Sequence, residues 1–387
     1  MSHTPTQPTQ TNRLLYLDFL RGLMLIGITL GHFGPTFEWL MWQPLGFFSN
    51  AEGFVLLSGT VFGLVYAKLE QRDPASMAVK ARKRAWLIYL SHLGLLLFVA
   101  LYTWATNGWA DDWRSHAQFI AEAPALRLIL GTLLIYQPPL LDILPMYALF
   151  VLIAPGIIRQ LVAGRVWLVL GVSLVIWWLF SQVVGGGHWR TTIADSLGMG
   201  FPFQVGEFDP LTWQVLFFFG TALGVLMFQQ RLPRQPQIVL ALIAMVAVVL
   251  FFGLRHELIA APAFWNPAWV DRHELAWLRL VNIAALIYTF WTLLYLARKV
   301  NWPAWARALP KPFACLGRHS LAVFSAHAVL IYLTIPIQMT YPLFWRYVIG
   351  LSLIFILLAL ACGLDIRARR QRQAQLRVLD AADGGSH

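Results

Sequence analysis

The sequence is poor in charge. Only 12% of its 387 residues are Asp, Glu, Lys or Arg, against about a quarter in an ordinary soluble domain, which excludes a water-soluble globular enzyme. It has two cysteines, Cys315 and Cys362, both in apolar surroundings, so neither a disulfide framework nor a thiolate metal site is indicated. His188, His256 and His273 lack a short metal-ligand spacing, and no metal is expected. A phosphate-loop motif and a nucleophile-elbow pentapeptide are both missing. So is an internal repeat, which argues against a transporter built from two related halves.

What the chain has instead is hydrocarbon. Hydrophobic residues make up 58% of it and the mean hydropathy is +0.62. They fall in runs long enough for a bilayer crossing, which needs about 20 helical residues. The expected fold is all-α, a polytopic integral membrane protein of about ten transmembrane helices. These are placed near residues 14–34, 46–67, 84–104, 138–158, 166–184, 211–229, 237–254, 277–297, 313–333 and 344–363. Residues 121–137 read as a short re-entrant or interfacial piece, because Pro124, Pro138 and Pro139 oppose a continuous span. Residues 1–12 are expected to be disordered, 13–366 to form one transmembrane domain, and 367–387 to be a basic, then flexible, tail. The start is not read as a signal peptide, since it lacks a positive n-region and a cleavage site.

Charge sets the orientation. Lys68, Arg72, Lys80, Arg82, Lys83 and Arg84 share one connection, and Arg298, Lys299, Arg307 and Lys311 another. The tail holds Arg367, Arg369, Arg370, Arg372 and Arg377. The alternate connections carry most of the acid. The positive-inside rule then puts both termini in the cytoplasm. The net charge of +11 is therefore a matter of topology, and no nucleic-acid partner is expected. Trp109, Trp113, Trp189, Trp265 and Trp269 fall in the outer connections, as interface anchors or walls of a vestibule. Nothing in the sequence sets an oligomeric state; the bilayer is the one partner composition demands.

Polar residues inside the spans carry the chemistry, because they are expensive there. The first span holds Asp18, Arg21 and His32. The cheaper reading of Asp18 and Arg21, one turn apart, is a structural clip, but it leaves His32 unexplained. Arg21 and His32 lie about 16 Å apart along a helix, so the arginine is an inner anion anchor and the histidine an outer general base. Glu52, one to two turns below the outer surface of the second span, sits at a depth where it could orient that imidazole. Ser58, Gly59 and Gly63 permit close helix packing. The ninth span offers Arg318 as a second phosphate contact and His327 as a cavity-lining group, about 180° apart on a straight helix. Trp213, Gln214, Arg279 and Asn282 open two further spans from the outer side and are candidate contacts for a polar acceptor.

At these residues the chain resembles the OpgC family, named for succinyl transfer to osmoregulated periplasmic glucans and related to the acyltransferase type-three superfamily. The resemblance rests on Leu17-Asp18-Phe19-Leu20-Arg21-Gly22 followed by Gly31-His32, and on Asn50-Ala51-Glu52-Gly53-Phe54-Val55-Leu56-Leu57-Ser58-Gly59. It continues in Trp213-Gln214-Val215-Leu216-Phe217, Arg279-Leu280-Val281-Asn282 and Leu316-Gly317-Arg318-His319-Ser320-Leu321-Ala322-Val323-Phe324. It implies an acyl-coenzyme A donor, succinyl-coenzyme A by the family's name, on the cytoplasmic side, and a carbohydrate acceptor on the periplasmic side. His32 corresponds to the family's proposed catalytic histidine and Arg21 to the arginine of its first-helix motif. Acetyl and other short acyl groups stay open. The competing class is a transporter of an acyl donor or anionic solute, and a non-enzymatic membrane assembly protein is a third.

Overall fold

The computed structural model describes residues 10–106, 124–185, 206–300 and 310–384, with isolated positions between them. Trp109, Trp113 and Trp189, expected at the outer interface, lie outside the described residues. Among those described, nine helices are long and apolar enough to cross a membrane, or ten if one bent pair counts as a single span. In chain order the helices are α1 (Gln10–Gly31), α2 (Pro35–Met41), α3 (Asn50–Arg72), α4 (Pro74–Thr106), α5 (Pro124–Thr132) and α6 (Ile143–Val162). Then come α7 (Val166–Trp178), α8 (Pro210–Phe228), α9 (Ile238–Arg255), α10 (Trp277–Ala297), α11 (Pro310–Arg318), α12 (Ser320–Thr340) and α13 (Leu343–Gly384). With the bent pair counted as one span, ten crossings return the chain to the side on which α1 begins. That side is called here the N-terminal face, and its opposite the far face.

Two helices form the centre. Gly59-x3-Gly63 on α3 meets Gly220-x3-Gly224 on α8, and a Cβ at Gly59 or Gly63 would run into the carbonyl of Phe217 or Thr221. Small residues four apart let the backbones touch, which replaces the hydrophobic drive that lipid removes. Ser58 is buried beside this seam. Helix α9 shows the other extreme: Ile238, Val239, Leu242, Ile243, Val246 and Val249 are all exposed. A helix this apolar and this exposed faces lipid tails.

Three elements depart from the expected spans. The ninth is broken, with α11 and α12 meeting at 85° around His319. No proline sits at the break. Packing causes it: Gly317 is pressed against the Asp18 backbone, while Arg318 and His319 both face Asp365 of α13. The straight-helix estimate that set Arg318 and His327 on opposite sides therefore does not apply. Helix α13 continues through the basic tail to Gly384, as a run of Ala, Arg, Gln and Leu favours. Helix α1 begins at Gln10, ahead of the expected start, and residues 1–9 lie outside the described residues. Within 121–137 the chain forms the short helix α5.

Candidate active site

The first group lies toward the N-terminal face. Arg21 is 7% exposed, one turn after Asp18 on α1, and its Nη1 is 3.5 Å from Asp18 Oδ1. Its Nη2 donates to Ser320 Oγ, the first residue of α12 beyond the bend. The guanidinium stands 5.7 Å from the centre of the Phe54 ring. Arg84 and Tyr147 are near enough to act on it electrostatically. Its Nε, though buried, has no hydrogen-bond partner. Arg318 is near enough to act on Asp18 electrostatically. Its Nη1 pairs with Asp365 at 2.9 Å and its Nη2 contacts Cys315 Sγ at 3.5 Å. Arg21 and Arg318 thus both act on the Asp18 carboxylate, and of the two only Arg21 keeps a spare buried donor.

The second group lies about 16 Å along α1. His32 follows the last residue of that helix, and its Nδ1 is 3.2 Å from Nε2 of His327 on α12. The two rings stack with centroids 5.3 Å apart and planes at 25°. His327 is 1% exposed whereas His32 is exposed, so one member of the dyad is reachable and the other is sheltered. The His327 Nδ1 has no partner. Helices α1 and α12 therefore touch through polar groups twice, at Arg21–Ser320 and at His32–His327.

Glu52 belongs to a third group. Ser49 caps α3 with its side chain on the Glu52 N–H, and the Glu52 carboxylate returns to the Ser49 N–H, a complete capping box. The other carboxylate oxygen receives Arg279 Nε at 2.5 Å, both side chains being 0% exposed. The structure brings Glu52 to Arg279, and brings His327 rather than Glu52 to His32.

The remaining candidate residues hold the far-face connections. Arg279 Nη1 donates to the Val270 carbonyl at 3.0 Å, and Asn282 Nδ2 to the Leu45 carbonyl at 3.3 Å. Trp213 Nε1 donates to the His273 carbonyl at 3.2 Å. Gln214 accepts from Ser173 Oγ at 2.6 Å and donates to its carbonyl at 2.8 Å. Each is buried, and two polar atoms among them, Arg279 Nη2 and Asn282 Oδ1, have no hydrogen-bond partner.

Sequence reasoning missed Arg272 and Ser320. Arg272 interacts electrostatically with His32, pairs with Glu207 at 2.9 Å and lies 4.6 Å over the Trp42 ring. Nothing local in the sequence marks it, because it comes from a long connection. The Ser49-x-x-Glu52 spacing was a readable signal for the cap. No group of three or more His, Cys, Asp or Glu able to hold a metal occurs among the described residues.

A protein-family model described as OpgC protein matches residues 13–369. Neither a curated protein nor a solved structure matches the chain.

Proposed function

We propose a function from one premise: the chain belongs to the OpgC family, a membrane acyltransferase-like family. The proposed reaction moves a short acyl group, succinyl by the family's name, from acyl-coenzyme A to a carbohydrate hydroxyl on the other side of the membrane. The N-terminal face is taken as cytoplasmic, from the basic connections, and the far face as periplasmic. The observation that carries the reading is the His32–His327 dyad at 3.2 Å, set on the same helix as a buried arginine with a spare donor.

In this mechanism Arg21 receives a donor phosphate through Nε, with Arg318 contributing field from beside Asp18. The thioester reaches toward His32. The sugar hydroxyl gives its proton to His32 Nε2 as its oxygen bonds to the thioester carbonyl carbon. The tetrahedral intermediate then expels coenzyme A by breaking the carbon–sulfur bond, and the thiolate recovers the proton from His32. For Nε2 to be the basic atom, Nδ1 must carry a proton and donate it to His327 Nε2. That choice places the His327 proton on Nδ1. His327 then takes the orienting role expected of Glu52, while Glu52 acts through Arg279 on the far-face connection. A thioester is already activated, so positioning and general-base catalysis suffice.

The test uses purified protein in lipid nanodiscs with labelled acyl-coenzyme A and a glucan oligosaccharide. His32→Ala should lower acyl transfer by about 10²–10⁴-fold while donor binding persists. Undiminished transfer by well-folded His32→Ala protein overturns the assignment. In proteoliposomes, flux of donor or anion with no acylated acceptor favours a transporter instead.

A further inference from the structure

A cavity of about 610 Å³ opens at the far face, between the segment after α2 and the connection from α9 to α10. Its size falls in the range of about 300–1,000 Å³ usual for ligand sites. We infer that this vestibule binds the acceptor as a chain of neutral pyranose units, held by the aromatic side chains of Trp42 and Trp265. The inference rests on the acyl-transfer reading for what happens to the sugar, and on the cavity alone for its binding.

The lining argues for the class of ligand. Trp42 is exposed and Trp265 partly exposed, while Phe47, itself buried, backs Trp265 with ring centroids 5.7 Å apart and planes at 30°. Aromatic rings match the C–H faces of a pyranose, as they match other flat apolar surfaces with polar edges. Around them the cavity sets carboxylate, amide and imidazole groups, which exchange hydrogen bonds with hydroxyls in either direction.

The charges argue against an anion. Arg272 is paired with Glu207 at 2.9 Å and already lies over Trp42. Arg255 gives its Nε to Gln43 Oε1 at 2.9 Å. His273 also faces Glu207, at 3.1 Å. Glu257 and Asp271 add two more acids to the wall. The lining thus sets three carboxylates, Glu207, Glu257 and Asp271, against two guanidiniums, Arg255 and Arg272, one of them already paired, a balance that disfavours an anion.

The cavity is also tied to the dyad and firmly built. Arg272 lines it and interacts electrostatically with His32. Val270 and His273 line it, and their carbonyls are pinned by the buried Arg279 and Trp213. A fixed wall lowers the ordering cost of binding. This gives Arg279, Trp213 and Asn282 a part in acceptor recognition without contact: they position the loops that make it.

The experiment measures binding, not turnover. Protein in nanodiscs is titrated calorimetrically with a soluble neutral glucan oligosaccharide, the same oligosaccharide on a lipid carrier, inorganic phosphate and succinate. Trp265→Ala should weaken oligosaccharide binding by about tenfold or more, leaving acyl-coenzyme A binding unchanged. Trp42→Leu is the second variant should Trp265→Ala misfold. Trp167→Ala, at an exposed position on α7, should change neither. Binding of both oligosaccharide forms, or of the lipid-carried form alone, supports the site and names the physiological source. Oligosaccharide binding unaltered in both vestibule variants overturns it, as does phosphate or succinate competing for the site. Intact oligosaccharide binding with no acyl transfer in any condition would sink the enzymatic reading and leave the vestibule standing.

Discussion

Two buried arginines use carboxylates in opposite ways. Arg279 meets Glu52 at 2.5 Å across 227 residues of sequence, with both side chains fully buried. Glu52 has its second oxygen in a capping box and Arg279 has its Nη1 on a backbone carbonyl. Arg21 meets Asp18 at only 3.5 Å, within one helix, and its Nε is left without a partner. The first pair joins α3 to α10 and the loops above them. Both leave one buried guanidinium nitrogen without a partner, Arg279 Nη2 and Arg21 Nε, which costs free energy unless something else completes it, but only the second also holds its carboxylate loosely. What separates the two is the carboxylate: the short Arg279–Glu52 pair is framework, whereas the long Arg21–Asp18 pair leaves its guanidinium the better placed for an incoming anion.

The comparison breaks most violently at Arg279. Arg279→Ala would leave Glu52 buried and uncompensated, a loss of about 3–5 kcal/mol. It should appear as a large fall in the thermal unfolding midpoint of purified protein. Arg279→Lys should recover only part, since one ammonium cannot serve both the carboxylate and the Val270 carbonyl. A stable Arg279→Ala protein would mean the pair contributes little to the fold.

Arg21→Gln should do the reverse. Stability should fall modestly, because the Asp18 contact is long, while apparent affinity for acyl-coenzyme A should drop by about tenfold or more, as loss of a charged hydrogen bond of about 1.5–3 kcal/mol implies. Turnover at saturating donor should persist, in contrast to His32→Ala. Equal donor affinity in well-folded Arg21→Gln protein would make Arg21 a second framework residue and erase the distinction.

This difference was half legible in the sequence. The spans were readable because runs of about twenty apolar residues have one physical destination, and α9, exposed along much of its length, is the plainest example. Arg21 and His32 were readable because a polar residue inside such a run stands out. Their partners were not. Ser320 and His327 reach them across some three hundred residues, and the 85° break that starts α12 at Ser320 comes from Gly317 meeting the Asp18 backbone, a tertiary contact. Glu52 shows the opposite failure. Its depth suggested His32, yet the Ser49-x-x-Glu52 spacing was a local signal for the cap, and Arg279, which takes its other oxygen, lies far along the chain.

The smallest effect should be the most discriminating. Asp18 holds Nη1 of Arg21 by one long contact, and the same carboxylate would compete with a donor phosphate for that guanidinium. Asp18→Asn keeps the shape and a hydrogen-bonding oxygen but removes the competing charge. The contact is long, at 3.5 Å, and relief of a competing attraction of about 1 kcal/mol corresponds to a rise in donor affinity of about fivefold, with the unfolding midpoint nearly unchanged. The sign is what matters. If the pair is a structural clip, Asp18→Asn should lower stability and leave donor affinity equal or weaker, because Arg21 would lose the group that orients it. If Asp18 instead holds Arg21 ready until the donor arrives, affinity should rise and dissociation slow, and raised salt should shrink the gain less than at an exposed pair, since Arg21 is buried. A rise in affinity for acyl-coenzyme A but not for pantetheine, which lacks the nucleotide phosphates, would place the competition at the phosphate.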